Sequence, residues 1–252
     1  MGRPTLALAR GAFGAGVLLA GWFAAAYLLG ARRGVPTPES VLRWSIDART
    51  TIGANISHTA DSAARGYLIG TVIAIAVAIV AFTVRRLERT LVSVAVMSYC
   101  LPLVAVAPLL RITLDGAATE VTLAALCVFF TTMLGVLSGL RAAPRVPMEV
   151  VASLGGRGWA QLRYARLPAA LGPTLTALSL AAPLAILGAV LGEFLGGEAG
   201  LGVGLIDAQK TGDPARAWSY CLAILAVALV ATALINVAAR VLAPWHYAGS
   251  RS

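Results

Sequence analysis

The chain has 252 residues, 59% hydrophobic and 12% charged, with a formal net charge of +9 at neutral pH. So apolar a composition excludes an ordinary soluble domain. The basic excess is unevenly placed, and its placement argues for membrane topology rather than for nucleic acid.

Asp, Glu, Lys and Arg are absent from six stretches, 11–31, 66–84, 90–110, 121–140, 167–192 and 217–239. Crossing about 30 Å of hydrocarbon at about 1.5 Å per residue takes about 20 helical residues, and each stretch is near that length. Lipid gives the backbone no partners, and the runs do not alternate as barrel strands do, so each is predicted to be a transmembrane helix. The first run could be a signal peptide, but its apolar part exceeds the about 7–15 residues of a signal core, so a retained helix is expected. The expected fold is an all-α membrane protein, one transmembrane domain over 1–252 with six helices.

With the N-terminus in the cytoplasm and the helices alternating, one side collects 12 basic and 2 acidic residues, the other 8 and 9. The richer basic side is predicted to be cytoplasmic and to hold both termini. Cys100, Cys127 and Cys221 all fall in predicted helices without a paired framework, so neither a disulfide scaffold nor a metal site is expected.

In chain order, residues 32–65 are expected to form an outer connector with a mildly amphipathic part, Ser40–Ile56. Residues 85–89 read as a short basic loop. The third helix is interrupted by Pro102 and Pro108, and a proline removes a hydrogen bond and bends the chain. Packing and a path-lining bend are both open there. Gly135 and Gly139 on the fourth helix, and Gly188, Gly192 and Gly196 on the fifth, recur at a spacing of four. Such a face lets another helix approach closely, in this chain or in a second copy.

The loop 141–168 is too long for a simple turn. Pro147 is predicted to open a short helix, with Glu149 in its first turn. Val150, Val151 and Leu154 form an apolar stripe, and Gly155-Gly156 ends the helix. A second short helix is predicted over 158–166, carrying Trp159, and Pro168 marks the start of the fifth span. The exposed apolar patch calls for a membrane surface or a partner protein to cover it.

These residues resemble the loop of binding-protein-dependent ABC importer permeases. That family's pattern is Glu-Ala-Ala, three residues, Gly, then Pro thirteen residues later. Glu149-Val150-Val151-Ala152-Ser153-Leu154-Gly155 is similar to its first part, and Leu167-Pro168 falls in register. Trp159 to Arg163, Glu193-Phe-Leu-Gly196, Gly200-Leu-Gly202 and the Pro102/Pro108 pair resemble the sulfonate, taurine and nitrate branch. The resemblance covers about residues 36–243 and implies a type I permease. It implies that Glu149, Val150, Val151, Ala152, Leu154, Gly155, Arg157, Trp159 and Pro168 form an ATPase-coupling element. Val150 and Val151 stand where the family has alanines, which suggests an ATPase matched to this chain.

A phosphate-binding loop would need GxxxxGK[ST]. Gly204 and Lys210-Thr211 match in part, but residue 209 is Gln. No cofactor is therefore expected in this chain; ATP and Mg are expected on a partner ATPase, and the chain is not expected to be an enzyme. The implied partners are two ATPase copies, a second permease copy as a homodimer, and an extracytoplasmic substrate-binding protein. The implied place is the bacterial cytoplasmic membrane. A secondary carrier is the alternative, though the inverted repeats and midplane charges common in carriers are missing. Tyr99, Pro102, Pro108, Thr131, Thr132 and Glu193 are candidates for the substrate path, with Glu193 read either as a solvated helix end or as part of an outer gate. The resemblance suggests a small anion or heterocycle as cargo.

Overall fold

The computed structural model describes residues 14, 16–17, 19–28, 30, 34–156 and 158–242. Helices account for nearly all of them. In order they are α1 (Leu19–Leu28), α2 (Pro38–Asp47), α3 (Arg49–Thr83), α4 (Arg85–Cys100), α5 (Leu103–Thr113) and α6 (Ala118–Arg141). Then come α7 (Arg145–Ser153), α8 (Trp159–Phe194), α9 (Leu201–Lys210) and α10 (Pro214–Leu242).

Four helices, α3, α6, α8 and α10, are long and apolar enough to cross a membrane. The α4–α5 pair is a fifth candidate, bent by 93° at its break. The expected first span, 11–31, lies largely outside the described residues; α1 is the helical part of it that is described.

Small residues hold α3, α6 and α8 together. A Cβ on Gly66 would come within 2.4 Å of Ala124 Cβ, and one on Gly188 within 2.7 Å of Ala124 Cα. Gly70 abuts the backbone of Ala125, Gly139 that of Ala170, and Gly135 the methyl of Ala177. Helices in lipid gain little from hydrophobic burial against one another and associate through close van der Waals contact, which these bare faces permit. Ala74, Ala78, Ala81, Met133, Leu137 and Leu140 fill the seam between α3 and α6 toward one end.

Several expectations need correction. Residues 49–65 are not a connector: they are the first half of α3, with Thr59, Ser62 and Ala63 buried. Absence of charge marks the lipid-crossing part of a helix, not its ends. Residues 85–89 are not a loop but the first turns of α4. The chain does turn at Pro102, where the preceding Leu101 is extended (φ −61°, ψ 126°), as the proline ring requires. Pro108 lies inside α5 and does not break it. Helix α9 has no counterpart among the predicted elements.

The loop also differs in detail. Its helix begins at Arg145, so Pro147 is its third residue and Glu149 its fifth, beyond the first turn. The segment 158–166 is not a separate short helix. It is the first part of α8, which passes through a π-helical turn at Leu162–Arg166, where the Leu167 N–H bonds to Leu162 O. Pro168 has no N–H and its ring crowds the carbonyl four residues back, so a widened turn just before it fits.

Candidate functional site

Helix α7 and the corner after it stand away from the bundle. Leu154 is 83% exposed and Trp159 66%, and Val146 and Val150 are exposed beside them. Ala152 and Glu149 are exposed too, whereas Val151 turns inward onto the corner. A Cβ on Gly156 would meet Val151 Cγ1 at 2.7 Å. The corner itself rests on Gly155 (φ +81°) and Gly158 (φ +56°), in the left-handed region that glycine tolerates. Arg157 lies outside the described residues.

The loop is anchored beneath this patch. Arg166 donates from Nη1 to Leu140 O at 3.1 Å, satisfying a carbonyl in the last turn of α6. Its guanidinium also lies 4.8 Å from the Phe82 ring centre at the end of α3. Arg141 pairs with Glu88 of α4. One end of the bundle therefore gathers the ends of α3, α6, α8 and α4 under the loop.

The opposite end holds a buried polar centre. Glu193, in the last turn of α8, is fully buried. This corrects the reading of it as a solvated helix end. Its Oε2 accepts the Gly202 N–H at 2.8 Å, and Thr59 Oγ1 accepts the Leu201 N–H at 2.9 Å, so both receive N–H groups at the start of α9. Glu120, at the start of α6, is also buried and accepts from Ser62 Oγ at 2.9 Å. His58 Nδ1 stands 3.7 Å from Glu120 Oε2 and 3.6 Å from Glu193 Oε1. Gly200 makes room: a Cβ there would fall 2.2–2.5 Å from the Glu193 carboxylate, and its φ of +115° suits only glycine.

The remaining path candidates do not converge. Tyr99 stacks on Phe130 at 4.5 Å between ring centres. Thr131 lines a groove with Gly135, Ser138, Pro173 and Thr176. Thr132 is fully buried in the bundle. A separate apolar cleft of about 410 Å³ lies between α3, α8 and α10, beside Tyr67, Ala185 and Ile186. Gly192 packs against Glu120, while Gly196 (φ +130°) lies in the turn beyond α8 rather than on a helix face.

Residues 66–246 match the model of the binding-protein-dependent transport system inner membrane component family. The riboflavin transport system permease protein RibX of Chloroflexus aurantiacus is 30% identical over 164 residues, 65% of this chain and 61% of that one. The formylaminopyrimidine transport permease protein ThiX of Halalkalibacterium halodurans is 25% identical over 234 residues, 91% of this chain and 93% of that one. The putative aliphatic sulfonates transport permease protein SsuC of Bacillus subtilis is 26% identical over 185 residues, 73% of this chain and 67% of that one.

Proposed function

Because this chain belongs to the family of binding-protein-dependent transport system inner membrane components, we propose that it is the permease subunit of a bacterial ATP-binding-cassette importer. It forms half of a substrate passage in the cytoplasmic membrane as a single six-helix domain with both termini inside. The observation that carries this reading is the exposed apolar patch of α7 and Trp159, set on a glycine corner and anchored through Arg166 to the ends of α6 and α3. A patch of that kind needs a partner, and an ATPase groove is the partner the family implies. ATP and Mg are bound there and not by this chain.

The complex holds two copies of this chain, two ATPases and an external binding protein that selects the cargo. The small-residue faces on α6 and α8 do not supply the dimer contact, since they are occupied within the chain. The names of the relatives point to a small organic heterocycle or anion as cargo.

Purification from native membranes tests the reading. Native mass spectrometry is expected to find two permeases with two ATPases, and uptake into proteoliposomes is expected to require ATP. Recovery of the chain alone, with uptake driven by an ion gradient, would instead identify a secondary carrier.

A further inference from the structure

His58, Glu120 and Glu193 come from α3, α6 and α8 and bring one nitrogen and two carboxylate oxygens within 4.8 Å of one another. Their hydrogen bonding is incomplete. Glu193 Oε1 is buried and has no partner, and neither has His58 Nδ1. A protonated imidazole does not complete the set, because the single Nδ1–H faces both carboxylates and can point at only one. Two buried carboxylates facing one another need either a proton held between them or a compensating positive charge, and no Lys or Arg pairs with either among the described residues.

We propose that this centre binds one divalent transition-metal ion, held by His58 Nδ1, Glu120 Oε2 and Glu193 Oε1. Ligands about 2.0–2.2 Å from a zinc-like ion lie about 3.4 Å apart in a tetrahedron. The two His58 separations, 3.6 and 3.7 Å, need only a few tenths of an ångström of closure, and the two carboxylate oxygens, which lie within 4.8 Å of one another, need at most about 1.4 Å, within reach of a side-chain rotation. An imidazole with two carboxylates suits Zn²⁺ or Mn²⁺ better than Mg²⁺ or Ca²⁺, which prefer oxygen alone. The outer partners are in place. Ser62 Oγ orients Glu120, and the Gly202 N–H orients Glu193. The His58 side chain is 33% exposed and supplies an access route. A bound ion would join α3, α6 and α8 at the end of the bundle remote from the loop, and α9 through Glu193.

The test uses the full chain in lipid nanodiscs, carrying a tag without histidine and stripped with a chelator. Titration with Zn²⁺ is expected to load one ion per chain and to raise the thermal midpoint. His58→Gln and Glu193→Gln are each expected to weaken binding at least about tenfold and to abolish the thermal shift. In Glu193→Gln the new carboxamide oxygen can still accept the Gly202 N–H, and His58 is partly exposed, so both variants should insert and elute as wild type. No binding by wild type at micromolar free Zn²⁺ overturns the proposal. So does binding of equal strength in both variants, which would place the ion elsewhere, at a cysteine for example. Transport plays no part in this readout, so it fails or stands apart from the importer reading.

Discussion

At the scale of single residues, two glycines carry opposite lessons. Gly200 is fixed by its surroundings as well as its φ, since a side chain there would strike Glu193. Gly155 has nothing within 4 Å of a would-be Cβ, so only its φ of +81° demands glycine. Gly155→Val should therefore cost about 1–3 kcal/mol locally if the backbone is held, with no clash to spread the damage. The corner would relax instead, and the patch of Val150 and Leu154 would swing out of register with Trp159. The expected result is an inserted, assembled protein whose ATPase partner is no longer stimulated by binding protein, with uptake sharply reduced. Wild-type uptake by Gly155→Val would show that the corner does not couple. Glu149→Lys sharpens the comparison. In the first turn of a helix that charge reversal would cost about 0.3–1 kcal/mol, but Glu149 is the fifth residue of α7 and the dipole effect fades within one turn. Any loss of coupling in Glu149→Lys must then come from contact with the partner, while helix content stays unchanged.

At the scale of elements, the seams between helices decide what holds. Arg166 satisfies Leu140 O and faces the Phe82 ring, so one side chain fastens α8 to both α6 and α3. Arg166→Leu should cost about 1–3 kcal/mol through the lost charge-assisted bond and ring contact. Arg141→Gln, which removes a more exposed pair with Glu88, should cost at most about 1 kcal/mol. Thermal midpoints in detergent compare the two, and the reverse order would refute this account of the anchor. The long apolar spans were legible because charge-free length is a local property; α6 differs from its expected limits by three residues at one end and one at the other. Boundaries outside lipid were not legible. The first half of α3 carries Asp61, Arg65 and His58, which look like a connector until Thr59, Ser62 and Ala63 are seen packed. The buried centre was least legible. Its members are 62 and 73 positions apart, counting from His58 to Glu120 and from Glu120 to Glu193. The one available signal was that both glutamates border charge-free runs, and a solvated end gives the same signal.

At the scale of the whole molecule, length and aromatic placement give an orientation to test. Helix α3 has 35 residues, about 52 Å at 1.5 Å each, while the hydrocarbon is about 30 Å thick. About 20 Å must project, and the polar first half is the part that can. That half packs with α2, α9 and the start of α10 through Ile52, Trp44, Leu201 and Tyr220. Trp22 and Trp218 stack there at 5.2 Å, and their indole N–H groups donate to Pro36 O and Gly34 O. Exposed Trp159 and Tyr164 lie at the other end, with Arg141, Arg163 and Arg166. Aromatic residues at both ends suit the two membrane interfaces, and the arginine-rich end suits the cytoplasm. Reporter fusions truncated within the turns give the check. Fusions after Val84 and Gly156 should read as cytoplasmic, and fusions after Gly116 and Gly212 as external. The Gly116 fusion is the most informative, because the α4–α5 pair is bent by 93° and could re-enter on its own side instead of crossing. If it crosses, Gly116 lies outside and α6 returns the chain to put the loop in the cytoplasm. If Gly116 reads as cytoplasmic while Val84 does too, the pair is re-entrant. Helix α6 would then carry the loop to the external side, where no ATPase can reach it, and the coupling role of α7 would fall.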